Sequence, residues 1–587
     1  MTDPVTLSVV ENAAAAVCEE MNATLVRTAR SPNIKERRDC SCALFDPEGR
    51  MVAQAENIPV HLGAMPFSVE AALDRFPADS LAPGDAVLLN DPYHGGAHLP
   101  DLTLVEPVFH DGDLVALVAN RAHHADVGGA TAGSVAADST DLYQEGLRIP
   151  PVKIRESGAP NEAVRDVLFA NVRTPDERRG DLRAQAAANE VGARRFRELV
   201  DDRGNESLAD ALDELRAYSE RRMRAEIDDL PDGSYRFEDY LDDDGRGNAD
   251  LPIVVTVTVD GDDLAVDFAD TADQTAGPLN APPAVTASAT YFAVRAVTDP
   301  DIPPNAGAYA PIDLSLPGGS LVDPDPPAPV VGGNLETSQR VTDAVLGAFA
   351  RAVPERAAAA GQGTMNNVTF GGTDPRDGTD VNGGGTPAGG DGNGGGTPAR
   401  GDGNGGGTPA RGDGNGGGTP FTFYETQGGG FGGRAGADGM DGVQVHMTNT
   451  LNTPVEVLET AYPLRVRAYA LRPDTGGDGE FRGGLGLRRD IEVRTDCTCS
   501  VLADRQRYAP YGIEGGEDGA TGETRVNGDR VPGKSTHELD AGDVVSLRTP
   551  GGGGYGDSAA RDSAARERDL RLGKVTEAAG ADDDAED

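Results

Sequence analysis

Between Thr174 and Phe268 the apolar residues change period, and that change limits the fold more than any other feature of the chain. From Thr174 to about Asp229, Ala, Arg, Glu and Leu recur at helical spacing with a break near Gly204-Asn205, which predicts a long helical hairpin. The next apolar segment, DLPIVVTVTVDGDDLAVDF (250–268), alternates around Asp260-Gly261 and predicts a β-hairpin. The chain is therefore read as α+β, a large mixed fold in several parts, and its 587 residues supply two to four domains. The expected layout is a loop-rich N-terminal region at 1–173, the helical hairpin at 174–229 and a β-rich central and C-terminal region at 230–556. A charged acidic tail at 557–587 follows, expected to be disordered or a loose helix. Further helices are expected over residues 5–30, ending before Ser31-Pro32, and over ETSQRVTDAVLGAFARAV (336–353). Residues 382–420 repeat an 11-residue unit of the NGGGTPARGDG type, which has no apolar area to bury. With NNVTFGG before it and FTFYETQGGG after it, the repeat reads as a flexible insertion at a hairpin tip, and its Arg-Gly-Asp triplets as by-products of the repeat.

Charge and cysteine narrow the function classes. The formal net charge is −45, from 97 acidic and 52 basic residues, of which only Lys35, Lys153, Lys534 and Lys574 are lysines. Molar salt, with a Debye length of about 3 Å, screens such self-repulsion, so the composition suits a high-salt cytoplasm. No basic stripe is available for nucleic acid. No apolar run reaches the length of about 18 residues that a membrane helix needs, and the N-terminus lacks the basic segment of a signal peptide. Five cysteines, at Cys18 and in the pairs Cys40/Cys42 and Cys497/Cys499, argue for a reducing compartment. The two pairs could form a four-thiolate zinc site if they met, and are otherwise plain buried thiols.

GDRVPGKS (528–535) fits a phosphate-binding loop letter for letter, but such a loop joins a buried strand to a helix. Upstream lies the short, polar ETRVN; downstream, THELDAGDVVSLRT alternates as a strand. The segment is read as a β-hairpin turn, and no nucleotide-binding residue is expected in this chain.

Of the eight histidines, five fall within 31 residues: His94, His98, His110, His123 and His124. In NDPYHGGAHLPD (90–101) the glycines and Pro100 impose a tight loop, so His98 and Asp101 meet across a turn. TLVEPVF and LVALVAN form a hairpin that returns RAHHADVGG (121–129), bringing His123 beside them. Two imidazoles and a carboxylate suit Zn²⁺, Mn²⁺ or Fe²⁺. His110, His446 and His537 read as structural. His94 and His124, with Asn90 and Asp91, are candidates to support the ligands or touch substrate. Asp39, in KERRDCSCALFD, is a further ligand candidate whose alternative is a salt bridge to Arg37 or Arg38.

SPNIKERRDCSCALFD (31–46), IPVHLGAMP (58–66), NDPYHGGAHLPD, AGPLNAPPAVT (276–286), DPDIPPNAG (299–307), GGNLETSQRVTDAVLGA (332–348), HMTNTLNTPVEVLE (446–459), FRGGLGLRRD (481–490) and TPGGGGYG (549–556) together resemble the hydantoinase B/oxoprolinase family. The resemblance runs from about residue 5 to 556, apart from the glycine repeat. It implies one half of an ATP-dependent enzyme that opens a cyclic amide or imide. A separate hydantoinase A-like subunit would bind ATP and phosphorylate a substrate oxygen, making the enzyme a hetero-oligomer. On the same basis the metal ligands are His98, Asp101 and His123, with Asp39 as a fourth; in a hydrolytic mechanism, apart from the resemblance, His124 or Asp126 could shuttle protons. The alternatives are an α-type subunit of an acetone-carboxylase-like ligase, or a scaffold without catalysis.

Overall fold

The structure, a computed structural model, describes residues 4–55, 57–378 and 418–576. Its first layer is a seven-stranded sheet built from β1 (Cys40–Phe45), β2 (Met51–Ala55), β3 (Ala86–Leu89), β4 (Asp101–His110), β5 (Asp113–His123), β6 (Val152–Glu156) and β7 (Ala159–Pro160), in the order β2-β1-β5-β4-β3-β6-β7. Side chains alternate across a strand, so each face of β5 meets a different helix. Ala116, Val118 and Ala122 join the core made with Pro4–Thr28 and Pro175–Arg203, whereas Leu117 and Ala119 pack with Met65 and Val69 of the helix Pro59–Arg75. The helix Pro4–Thr28 lies close along Pro175–Arg203: a Cβ on Gly192 would stand 2.3 Å from the Met21 sulfur.

The helical period of residues 174–229 resolves into Pro175–Arg203 and Asn205–Asp228, divided at Gly204, whose φ of 81° favours glycine. The second helix spans two cores, with Leu208 and Ala211 in the first and Met223 and Ile227 in the second. That second core is a four-stranded sheet (Gly233–Asp243, Ala249–Asp260, Asp263–Asp267 and Ile312–Ser315) covered by the helices Pro283–Val297 and Ser338–Ala350. Asp260 pairs with Asp263 around Gly261, as the alternation predicted. The helix expected at 336–353 opens with a π-helical turn, Gly333–Thr337, before its regular part.

Two further sheets complete the fold, of which one pairs Asn367–Asp374 with Thr419–Glu425 and Cys497–Leu502 with Lys534–Leu539. The strands on either side of the glycine repeat are therefore hairpin partners; the repeat itself, up to Gly417, lies outside the described residues. GDRVPGKS contains the strand Asp529–Val531 and the start of Lys534–Leu539, and the Lys534 ammonium sits 2.7 Å from Asp504. Its hairpin turn is at Asn527-Gly528, both at positive φ.

The structure separates the cysteine pairs and describes the start of the tail. The cysteine pairs do not meet. Cys40 and Cys42 lie in the first core with Cys18, and Cys497 and Cys499 lie in the C-terminal core. Burial pushes all five thiols up, Cys497 to about 12, as suits packing groups. The start of the expected tail is docked: Ser563–Arg571 is a helix, Arg561 reaches Asp438 at 2.7 Å and Lys574 reaches Asp441 at 2.7 Å. Residues 577–587 of that tail lie outside the described residues. Among the described residues no helix is long and apolar enough to cross a membrane.

Candidate metal centre

Asp101 opens β4 and His123 closes β5, and the two are directly opposed in the antiparallel register. Opposed residues point to the same face, so the hairpin alone delivers a carboxylate and an imidazole together. The loop before β4 supplies His98, its carbonyl accepting from the Asp101 amide at 3.0 Å. That loop is braced from behind. The Asn90 amide donates to the carbonyls of Leu99 and Leu147 and accepts from Ile149, and Asp91 binds His94 at 2.7 Å and Arg148 at 2.8 Å. Gly95, at φ 80°, lies so close to the helix Pro59–Arg75 that a Cβ there would stand 2.1 Å from the Phe67 carbonyl.

His98 Nδ1 is 3.0 Å from Asp101 Oδ2, His123 Nδ1 is 3.3 Å from Asp101 Oδ1, and one ligand atom from each of the three lies within 4.8 Å of the others. All three residues are buried, yet both His98 nitrogens, both Asp101 oxygens and His123 Nε2 make no hydrogen bond. A buried polar atom without a partner costs about 1–3 kcal/mol, a cost that a bound ligand would offset here. Burial pushes His98 down, beyond what Asp101 restores, and so favours the neutral imidazole that binds metals. At Asp101 burial raises the pKa, but the neighbouring His98 and His61 outweigh it and hold the group well below the carboxylate range. Two imidazoles and a carboxylate with unused lone pairs can hold a divalent cation.

His61 joins this centre and was not singled out in the sequence. It sits in the first turn of Pro59–Arg75, with Nε2 3.3 Å from Asp101 Oδ2 and 3.8 Å from Asp39 Oδ1. Its only sequence signal is a lone histidine in IPVHLGAMP. Asp39 is buried at the edge of the centre; its carbonyl accepts from the His123 amide, and its carboxylate stands beyond His61, outside the three-residue set. The salt bridge considered for it with Arg37 is absent, since the Arg37 guanidinium binds Asn33, Tyr424, Thr426 and Thr450 instead.

The roles expected of His124 and Asp126 do not fit their positions. His124 faces the helix Pro175–Arg203, where Nε2 meets Gln185 at 2.9 Å beside Asn120, and burial lowers it to about 4. His124 follows the last residue of β5, and its ring binds Gln185 whereas that of His123 faces Asp101. Asp126 accepts from the amides of Gly128, Gly133 and Arg173 and from the Arg173 guanidinium, which commits it to holding a glycine-rich loop. His94 projects outward, its side chain 58 % exposed. His110, His446 and His537 bind Asp201, Asp343 and Ser535, each away from the centre.

Residues 3–558 match the family model described as Hydantoinase B/oxoprolinase. An uncharacterized protein of Methanocaldococcus jannaschii is 39 % identical over 566 residues, 95 % of this chain and 92 % of that protein. The B component of a putative D-/L-hydantoinase from a Pseudomonas species is 33 % identical, covering 95 % and 91 %. 5-Oxoprolinase 1 of Arabidopsis thaliana is 36 % identical over 95 % of this chain but only 42 % of its own length, so the chain spans less than half of that relative. Among solved structures, the ATP-dependent caprolactamase from Pseudomonas jessenii superimposes with a TM-score of 0.85 at 29 % identity, covering 98 % of this chain and 95 % of that one. An acetone carboxylase shares the fold, with a TM-score of 0.82 at 18 % identity over 98 % and 78 %.

Proposed function

We infer the function from one premise: this chain belongs to the hydantoinase B/oxoprolinase family. It acts as the metal-bearing component of an ATP-dependent hydrolase that opens a cyclic amide or imide. The observation that carries this reading is the buried set of His98, Asp101 and His123: one ligand atom from each lies within 4.8 Å of the others, and both His98 nitrogens, both Asp101 oxygens and His123 Nε2 make no hydrogen bond among the described residues. The relatives' names refer to hydantoin, 5-oxoproline and caprolactam, all cyclic amides, and the substrate is assigned to that class.

His98, Asp101 and His123 would hold the cation, with Asp39, 3.8 Å from His61, as the fourth group that the family resemblance implies. A divalent cation supplies Lewis acidity and lowers the pKa of a bound water toward about 7. The chain's own residues do the rest. The burial of His98, Asp101 and His123 themselves keeps bulk water from the centre. His61 Nε2, between the carboxylates of Asp101 and Asp39, holds a proton next to the ligands. An amide carbonyl resists water until its oxygen becomes a leaving group, which is the step assigned to ATP on a hydantoinase A-like partner subunit, in a hetero-oligomer.

The test is reconstitution of the chain with an A-type partner at high salt, assayed for ATP-dependent ring opening of hydantoin, 5-oxoproline and caprolactam, with elemental analysis. Ring opening with a stoichiometric divalent metal, both lost in His123→Ala, is the expected result. Full activity in His123→Ala removes the metal's role, and bicarbonate-dependent loss of a ketone without ring opening replaces the hydrolase with a ligase.

A further inference from the structure

His123 Nδ1 faces Asp101, and Nε2 has no partner. Metal-binding imidazoles usually have their rotation fixed by a hydrogen bond from the second nitrogen. Here that bond is missing, so the ring plane depends on packing. On one side His98 is tilted by 43°, its centroid 5.0 Å away. The closer parallel contact comes from far along the chain: Tyr424, on the strand Thr419–Glu425, stacks on His123 with centroids 4.9 Å apart and planes within 14°.

Tyr424 is itself held at three points. Its carbonyl accepts from the Arg37 guanidinium at 3.1 Å, and the Arg37 Cζ lies 5.1 Å from its ring centre. Its hydroxyl donates to Asn367 Oδ1 at 2.8 Å. The Asn367 amide nitrogen donates in turn to Glu336 Oε1 and to the Leu502 carbonyl, each at 2.8 Å, which fixes the amide with its oxygen toward the phenol. Glu336 lies in the π-helical turn Gly333–Thr337, a backbone form that recurs at functional sites.

We propose that Tyr424 is a positioning residue of the metal centre: locked by Arg37, Asn367 and Glu336, it sets the plane of the His123 imidazole and so the direction of its ligand nitrogen. The assignment rests on the metal reading above. It gives the distant C-terminal half of the chain a direct part in the centre, through the base of the hairpin that carries the glycine-rich insertion. A tyrosine that merely filled the core would affect stability when removed, but not the geometry of a bound ion.

Cobalt(II) is the probe, because its visible spectrum reports ligand geometry independently of turnover. The metal-free full-length chain is titrated with Co²⁺ as wild type, Tyr424→Phe and Tyr424→Leu, with circular dichroism confirming the fold. Tyr424→Leu, which loses the stack, is expected to weaken Co²⁺ binding by about tenfold or more and to shift the visible bands. Tyr424→Phe keeps the stack and loses only the bond to Asn367, so its loss is expected to stay below about tenfold, with a smaller band shift. Wild-type affinity and spectrum in folded Tyr424→Leu overturn the proposal, and if that variant does not fold, an unchanged spectrum in Tyr424→Phe does so. Failure of the wild type to bind Co²⁺ would instead overturn the metal reading itself.

Discussion

Two buried polar clusters in this molecule set carboxylates against nitrogen groups and use them in opposite ways. In the His98–Asp101–His123 cluster, nitrogens and oxygens lie 3.0 to 3.3 Å apart without the alignment of hydrogen bonds. In the second, Asp239, Asp343 and Asp504 meet Arg340, Arg505 and Lys534. Arg505 reaches Asp343 at 2.7 Å and Asp239 at 2.8 Å, Arg340 reaches Asp504 at 2.8 Å, and Lys534 reaches Asp504 at 2.7 Å. Three carboxylates face three cations, and His446 adds a 2.9 Å contact to Asp343. The second cluster satisfies its charges within itself and ties the central sheet and the helix Ser338–Ala350 to the C-terminal strands. The first leaves its lone pairs unused. Burial alone does not separate a site from a scaffold; the use of the lone pairs does.

The comparison breaks if the clusters exchange roles under mutation. The largest effect is expected from Asp101→Asn, which should take the bound metal from about one ion per chain to background and abolish ring opening. Elemental analysis and a urea melt of the metal-free protein check it, and retained metal would refute the ligand assignment. Arg505→Met leaves Asp239 and Asp343 buried and short of a cation, and should cost about 3–5 kcal/mol in urea unfolding. The folded fraction should still bind metal in wild-type proportion; lost metal at unchanged stability would make this cluster the site.

A third test sharpens the boundary between the clusters at Glu336. Its Oε1 accepts from Met365 and Asn367, Oε2 has no partner, and burial raises the group from 4.5 to about 8. The folded state therefore keeps a proton that the unfolded state releases. The resulting stabilisation is complete below about pH 4.5 and is lost as the pH rises to about 8. Glu336→Gln should flatten this fall by up to about 2 kcal/mol between pH 6 and 7.5, as urea midpoints at the two pH values would show. A parallel fall in the variant would place the titration elsewhere.

What the sequence made legible follows from how far apart the partners lie. His98, Asp101 and His123 come from one loop and one hairpin, where turn residues and period 2 fix the juxtaposition. His124 lies one residue past β5, and its contact with Gln185 depends on the approach of the helix Pro175–Arg203. His61 and Tyr424 were not legible, because a helix packed over the sheet brings one and a hairpin from the C-terminal half brings the other. No local period records such tertiary contacts. Lys534 shows the reverse. Its motif suggested a phosphate site, but the alternating flanks pointed to strands, and the lysine ends in an ion cluster whose members are scattered from Asp239 to Lys534. The helical blocks at 174–229 and 336–353 were legible from period alone, but the π-helical entry to the second depends on packing that GNLET does not encode.

The smallest expected effect concerns the insertion that shares a hairpin with Tyr424. Asn367 pairs with Leu502, and Tyr424 pairs with Thr369, at the inner end of the hairpin. The outer end is the pair Asp374 and Thr419. Thr369 lies five steps along the strand from Asp374 of that outer pair, about 17 Å at the rise of an antiparallel strand, so events at the tip should not reach the His123 stack. Replacing residues 384–416 by a short Gly-Ser link should leave the Co²⁺ affinity and spectrum of the full chain unchanged. Stability should shift by less than about 1 kcal/mol, since loop-closure entropy grows only slowly with length. A tenfold loss of Co²⁺ affinity in that variant, with its circular dichroism intact, would mean that the repeat helps to hold the hairpin against the metal centre. The polar lock of Arg37, Asn367 and Glu336 would then be insufficient by itself to fix Tyr424.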